Sequence, residues 1–217
     1  VDLRKIHEIK AADLHSRGRA AGRAHADAGR DLGPRRRGIL GFGNIGRALH
    51  RMADGFGMEV IACTRRPETL PGAVRALSLD ALVAKADVPV LCGPLTQDTR
   101  GAISAARLAR MTPGAVLINV ARGPVVDTAA LIGALARGLS AGAALDVFDD
   151  QPPPPDSPLW AMHNVILTPH MAGITDDSML RMGQTVADET FRIPAGGLPQ
   201  NLCNPQAEAR YRMRFPA

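Results

Sequence analysis

Aromatic side chains are scarce: Phe, Tyr and Trp make up 3% of the 217 residues, while hydrophobic residues as a whole make up 46%. Any core must therefore be built from Ala, Val, Leu and Ile rather than from rings. Cysteine is scarce as well. Cys63, Cys92 and Cys203 are odd in number and show no CxxC spacing. That argues against a disulfide framework or a metal centre and favours a reducing, cytoplasmic setting. No apolar run approaches the roughly 18 residues that a membrane-crossing helix needs. The opening residues VDLRKIHEIK lack both a signal-peptide core and a Met, so a fragment or a processed chain is expected.

Charge is confined to one end. Residues 1–37 hold ten Lys/Arg and five Asp/Glu, which accounts for the whole net charge of +5. The rest of the chain is neutral. Arginine outnumbers lysine 23 to 3, so arginine richness is a compositional habit and not by itself a phosphate signal. With few large aliphatics and no helical period, residues 1–37 read as a solvated basic arm, poorly ordered or partly helical, and not as a nucleic-acid surface.

From residue 38 the pattern changes. GIL runs into GFGNIG, and GRALHRMADGF follows with helical spacing at Ile45, Leu49, Met52 and Phe56. Next come strand MEVIAC, helix SLDALVAKA, strand VPVLC, helix SAARLARM and strand GAVLINV. The helix DTAALIGALARG has Asp127 at its N-cap and Gly138 beyond its end. Strand SAGAALDVF, a proline loop, strand NVILTP and a helix from Thr175 to Arg192 complete the series. Strands alternating with short helices predict an α/β, doubly wound parallel sheet (Rossmann). Its dinucleotide-binding domain is expected over 38–205, with a C-terminal tail over 206–217.

GFGNIG places Gly41, Gly43 and Gly46 between a strand and a helix, the context in which G-x-G-x-x-G signals dinucleotide binding. Gly41 allows the tight turn, Gly43 lets the backbone approach a pyrophosphate, and Gly46 lets helix and strand pack closely. The helix N-terminus offers N–H groups to the phosphates. An acid closing the next strand would bind the adenosine ribose, but this strand runs into Thr64, Arg65 and Arg66. A hydroxyl does not repel a 2′-phosphate and guanidiniums can hold one, so NADP is modestly preferred over NAD.

GFGNIG, PLTQDTRG, MTPGAVLINVARGPVVD, GAALDVF and LTPHMAG occur in the order and spacing of the D-isomer-specific 2-hydroxyacid dehydrogenases. The chain resembles that family over about residues 38–205, within its nucleotide-binding domain only. The resemblance implies hydride transfer between NAD or NADP and a small 2-oxo or 2-hydroxy acid, in a homodimer. Arg122 would hold the substrate's carboxylate and carbonyl, and His170 would give the carbonyl oxygen its proton. Asp146 would contact the nicotinamide carboxamide, although it could simply satisfy backbone donors. Asn44, Ile45, Cys92, Gly93, Pro94, Thr99, Val120, Ala121 and Gly173 match further cofactor-lining positions.

Two departures matter. Most of the family carries Glu at the position of Gln151, where its charge keeps the histidine protonated. Gln151 can orient the ring but brings no charge. Asp149 and Asp150 are adjacent, yet Asp150 is one residue out of register. The family's formate dehydrogenases carry Gln here, because formate oxidation moves no proton, so such chemistry is an alternative. The family's substrate domain, on the order of 100 residues, is also largely missing ahead of Gly41. A cofactor-binding module with little turnover is therefore the other reading, and the identity of any oxo acid stays open.

Overall fold

Aliphatic residues run through the central strands with little polar interruption, as a sheet buried on both faces requires. The structure, a computed structural model, describes residues 32, 33 and 35–215. Most of the expected basic arm therefore lies outside the described residues. Strands β1 (Arg36–Leu40), β2 (Glu59–Cys63), β3 (Arg75–Ala76), β4 (Val88–Leu91), β5 (Val116–Asn119), β6 (Gly142–Leu145) and β7 (Val165–Leu167) form one sheet. Its order is β3-β2-β1-β4-β5-β6-β7, and every pairing is parallel. The expected doubly wound parallel sheet is the fold that forms.

The strand pleat sends alternate residues into two cores. Leu40, Ile61, Leu91, Leu117 and Leu145 join one cluster. Ile39, Val60, Ala62, Val88 and Val90 join the other. Each fully buried Leu or Ile contributes roughly 1.5–3 kcal/mol of transfer free energy, so aliphatics suffice where rings are few. Helices α1 (Asn44–Gly55), α2 (Leu79–Lys85), α3 (Ala105–Leu108) and α4 (Thr128–Ala136) connect the strands. Asp127 caps α4 by accepting a hydrogen bond from the Ala130 N–H at 2.9 Å. Gly138, at φ 69°, lies just past the end of α4.

Two local expectations are corrected. The first strand begins at Arg36 rather than at Gly38. Helix α1 buries Gly46 and Ala53, whereas the periodic residues Ile45, Met52 and Phe56 are exposed. Small residues face the sheet because the glycine turn brings the helix close to it. The two-residue strand β3 has no hydrophobic pattern, and both its residues are exposed.

The chain divides into two compact units, Val1–Ala172 and Gly173–Ala217. The sheet belongs to the first of these units. In the second unit, α5 (Asp176–Arg192) starts from a capping box in which the Thr175 and Ser178 side chains serve each other's backbones. The tail expected over 206–217 contains helix α6 (Glu208–Arg214). The Tyr211 hydroxyl of α6 lies 2.9 Å from the carbonyl oxygens of both Ile193 and Gly197.

Candidate active site at the carboxyl edge of the sheet

A parallel sheet gathers the loops that follow its strands along one edge, and ligands of such folds sit where the strand order reverses. Here that point lies between β1 and β4, where the glycine turn meets Cys92-Gly93-Pro94. Gly41 has φ 93°, and a Cβ there would stand 2.5 Å from Gly93 Cα. Only glycine meets both demands. A Cβ on Gly46 would stand 2.5 Å from the Gly41 carbonyl oxygen, while one on Gly43 would meet nothing within 4 Å. The turn is therefore packed behind and open in front. Gly43 gives α1 no side-chain cap, so the first-turn N–H groups, Asn44 and Ile45 among them, remain available to an anion.

The neighbouring loop is tied to this turn. The Cys92 thiol donates to the Gly41 carbonyl oxygen at 3.0 Å, and burial pushes its pKa up to about 12. Thr99 closes the loop on itself, its hydroxyl donating to the Pro94 carbonyl at 2.8 Å. Beyond β2, the Arg66 N–H donates to the Thr64 hydroxyl at 3.3 Å, turning the chain so that Arg65 and Arg66 are exposed. Among the described residues neither arginine pairs with a carboxylate.

After β5 the chain is shaped by a residue that sequence reading passed over. Asn119 is buried at 1% exposure. Its Oδ1 accepts from the Ala121 N–H at 3.0 Å and its Nδ2 donates to the Arg122 carbonyl at 3.1 Å. The only sequence signal was a polar residue closing an apolar strand. Val120 continues the ladder, its N–H donating to Leu91. Arg122 is exposed, with Nη1 donating to the Ala121 carbonyl at 2.6 Å.

The β6 and β7 loops meet at Asp146, which is 5% exposed. Its Oδ1 accepts from the Thr168 hydroxyl at 2.6 Å and the Met171 N–H at 2.8 Å, and its Oδ2 from the Ala172 N–H at 2.9 Å. One carboxylate thus grips the turn on both sides of His170 and keeps an acceptor position to spare on Oδ2. Thr168 was not expected to take part. The turn is sharp: the His170 N–H donates to the Thr168 carbonyl across Pro169, and His170 has φ 54°. A non-glycine residue in the left-handed region is uncommon, and such strain clusters at functional sites.

Gln151 is brought to His170. Its Oε1 lies 3.1 Å from His170 Nδ1, and its Nε2 lies 3.4 Å from the Phe148 carbonyl oxygen. Among the described residues no carboxylate bonds the His170 ring. Asp149 instead accepts from the Thr128 hydroxyl at 2.7 Å. A cleft of about 360 Å³ lies beside the pair, walled by Phe148, Pro152, Trp160 and Leu167. Arg122 is not in its wall, and no hydrogen bond joins Arg122 to His170. They share the sheet edge, on loops two strands apart.

The profile of the D-isomer specific 2-hydroxyacid dehydrogenases, NAD binding domain, matches residues 3–172. A glyoxylate reductase of Korarchaeum cryptofilum is 40% identical over 179 residues, 81% of this chain and 54% of that protein. A glyoxylate/hydroxypyruvate reductase B of Yersinia pestis is 42% identical over 174 residues, 78% of this chain and 53% of that protein. The chain therefore spans about half the length of the curated relatives it matches. Among solved structures, the TT0316 protein of Thermus thermophilus superposes with a TM-score of 0.81 at 37% identity, covering 90% of this chain and 62% of that one. A D-isomer specific 2-hydroxyacid dehydrogenase from Xanthobacter autotrophicus in complex with NADPH and MES gives 0.75 at 37% identity, covering 94% and 84%. With its motifs in order, its sheet in the expected topology and its profile match over most of its length, the chain belongs to the D-isomer specific 2-hydroxyacid dehydrogenase family, through that family's NAD-binding domain.

Proposed function

We propose that this chain is the dinucleotide-binding and proton-transfer half of an NAD(P)-dependent reductase acting on small 2-oxo acids, the reaction class of its curated relatives. The observation that carries this reading is the His170 corner. A strained histidine is gripped on both sides by a buried carboxylate and set on the same sheet edge as an uncapped glycine turn. The turn suits a dinucleotide, because the space in front of Gly43 is open and the N–H groups of α1 lack a side-chain cap. Gly41, Gly43, Asn44, Ile45 and Gly46 would hold the pyrophosphate. Cys92 to Pro94, Thr99, Val120 and Ala121 would line the rest, and the spare acceptor on Asp146 would take the carboxamide.

When bound, the dinucleotide supplies hydride to the carbonyl carbon. Arg122 turns its guanidinium from Ala121 to the substrate's carboxylate, binding and orienting it by paired hydrogen bonds. His170 hands the carbonyl oxygen a proton from Nε2 and recovers it in the reverse direction. Gln151 orients the ring through Nδ1 and adds no charge. The test is oxidation of NADPH and NADH by the chain with a panel of small 2-oxo acids such as glyoxylate and hydroxypyruvate. Turnover that is lost in His170→Gln supports the reading. Dinucleotide binding without turnover on any of them would make the chain a cofactor-binding module.

The cofactor preference we propose is NADP, supported by Thr64 in place of an acid and by two arginines that pair with no carboxylate among the described residues. Replacing Arg65 and Arg66 together by Ala should cost NADPH on the order of 100-fold in Kd and leave NADH nearly unchanged, since each of two charge-assisted phosphate contacts contributes about 1.5 kcal/mol or more. Equal losses for both dinucleotides would remove the preference. One observation favours a second reading: the group on His170 Nδ1 is an amide, which suits hydride transfer from formate, where no proton moves. NAD(P)⁺ reduction by formate, undiminished in His170→Gln, would select it.

A further inference from the structure

The turn that follows β2 is a chain of hydrogen bonds tied down from another element. The Thr64 hydroxyl accepts from the Arg66 N–H at 3.3 Å. The Arg66 carbonyl accepts in turn from the Thr69 N–H at 3.1 Å and from the Thr69 hydroxyl at 2.9 Å. The Thr69 carbonyl then accepts from Arg47 Nη2 at 3.2 Å, across 22 residues of sequence. Arg47 belongs to α1 and is half-buried. Its Cζ lies over the Phe42 ring, 5.7 Å from the centroid, and Phe42 is a buried residue of the glycine turn. One side chain therefore connects the glycine turn to Thr69, and through Thr69 to Arg66.

We infer that Arg47 is a positioning residue for cofactor selectivity: by holding Thr69 it fixes the turn that presents Thr64, Arg65 and Arg66 to a 2′-phosphate. An arginine that grips a phosphate gives up conformational freedom, and a turn already ordered has less to give up. A guanidinium suits the task because its face can lie over a ring while its edge donates. The Thr64 hydroxyl is used as an acceptor by the Arg66 N–H, so its own hydrogen is left to donate to a phosphate oxygen.

The same turn carries Glu68. Among the described residues that carboxylate pairs with neither Arg65 nor Arg66. A turn released from Arg47 would let this charge approach the two arginines and compete with the phosphate for them. The pyrophosphate end is different, because backbone N–H groups of α1 meet it and do not depend on the Arg47 side chain.

This role rests on the NADP preference proposed above, and the test separates the two. Adenosine 2′,5′-bisphosphate and adenosine 5′-monophosphate differ by the 2′-phosphate alone, and both bind without turnover. Their Kd values on the full chain are measured by calorimetric titration. The unsubstituted chain should favour the bisphosphate. Arg47→Met keeps an unbranched stem over Phe42 but has no donor. It should weaken the bisphosphate about tenfold and the monophosphate less than about twofold. Thr69→Val removes the hydroxyl's bond to Arg66 and leaves every arginine in place, and it should weaken the bisphosphate selectively as well. The two substitutions together should cost less than the product of their separate effects, because both release one turn. Equal binding of both nucleotides by the unsubstituted chain would overturn the NADP preference and this role with it. A preference left intact in Arg47→Met, or an equal loss for both nucleotides there, would overturn this role alone. So would a preference that falls in Arg47→Met and is untouched in Thr69→Val, since Arg47 would then act by its charge and not through the turn.

Discussion

The glycine turn and the His170 corner occupy the same sheet edge but are built by opposite means. At the turn, geometry comes from missing side chains: Gly41 and Gly46 let backbone meet backbone, and Gly43 leaves space in front. At the corner, geometry comes from side chains recruited over long sequence distances, with Asp146 holding three donors and Gln151 bridging Phe148 and His170. A site of the first kind tolerates almost no substitution at Gly41 or Gly46, because an added Cβ collides there. A site of the second kind fails in steps, because each hydrogen bond can be lost separately.

Breaking the turn should have the largest effect. Gly41→Ala places a Cβ at 2.5 Å from Gly93 and forces alanine to φ 93°, at a cost of roughly 3 kcal/mol. The chain should lose that much in urea denaturation and lose dinucleotide binding by fluorescence titration. Near-native binding would mean that the turn can be rebuilt and the contrast with the corner is false.

Asp146→Ala comes next, because it strands the Thr168 hydroxyl and the Met171 and Ala172 N–H groups. Unsatisfied donors of this kind cost about 1–3 kcal/mol each, and water recovers part of that at the edge of a site. If the contrast holds, kcat in the 2-oxo-acid assay falls by about two orders of magnitude, since the loop misplaces His170. Dinucleotide Kd should move only several-fold. A Kd that collapses along with kcat would mean that the two regions are one structural unit.

The last prediction tests the seam between the two regions. Burial raises the Cys92 pKa to about 12 from an ordinary 9.0. Below pH 9 the thiol is protonated in both folded and unfolded chains and does not affect the balance. Between pH 9 and about 12 only the unfolded chain gives up the proton. Stability should therefore fall with rising pH, by at most about 1.4 kcal/mol per pH unit from this group. Burial also pushes the Cys63 thiol up, and the Arg107 charge partly opposes it, so its contribution has the same sign. Cys92→Ala should flatten the alkaline slope in denaturation measured against pH, and an unchanged slope would assign it to other groups.

The sheet was legible in the sequence because buried parallel strands are aliphatic runs bounded by glycine, proline and capping residues. Asp127 as the cap of α4 was readable for the same reason: the signal lies within four residues. The α1 stripe misled because helical spacing shows that one face is apolar and does not show whether the sheet takes that face or the small one. Helix α6 was missed because EARYRMR has little apolar content to set a period. Asn119 and Thr168 went unnoticed although both lie inside the quoted motifs, because what they bond is decided by how the loops meet.

Local chemistry in the sequence was enough to determine the alternation of strands and helices, the glycine turn, the absence of an acid after β2 and the presence of glutamine at position 151. Each depends on what a residue can do to its own backbone, or on which functional group it lacks. Only the tertiary structure decided that Asp146 holds both flanks of His170 and that Asp149 turns away to Thr128. It also set the Gln151 amide between Phe148 and the imidazole. Those pairings join residues from separate strand ends, and their geometry exists only once the parallel sheet has brought its carboxyl edge together.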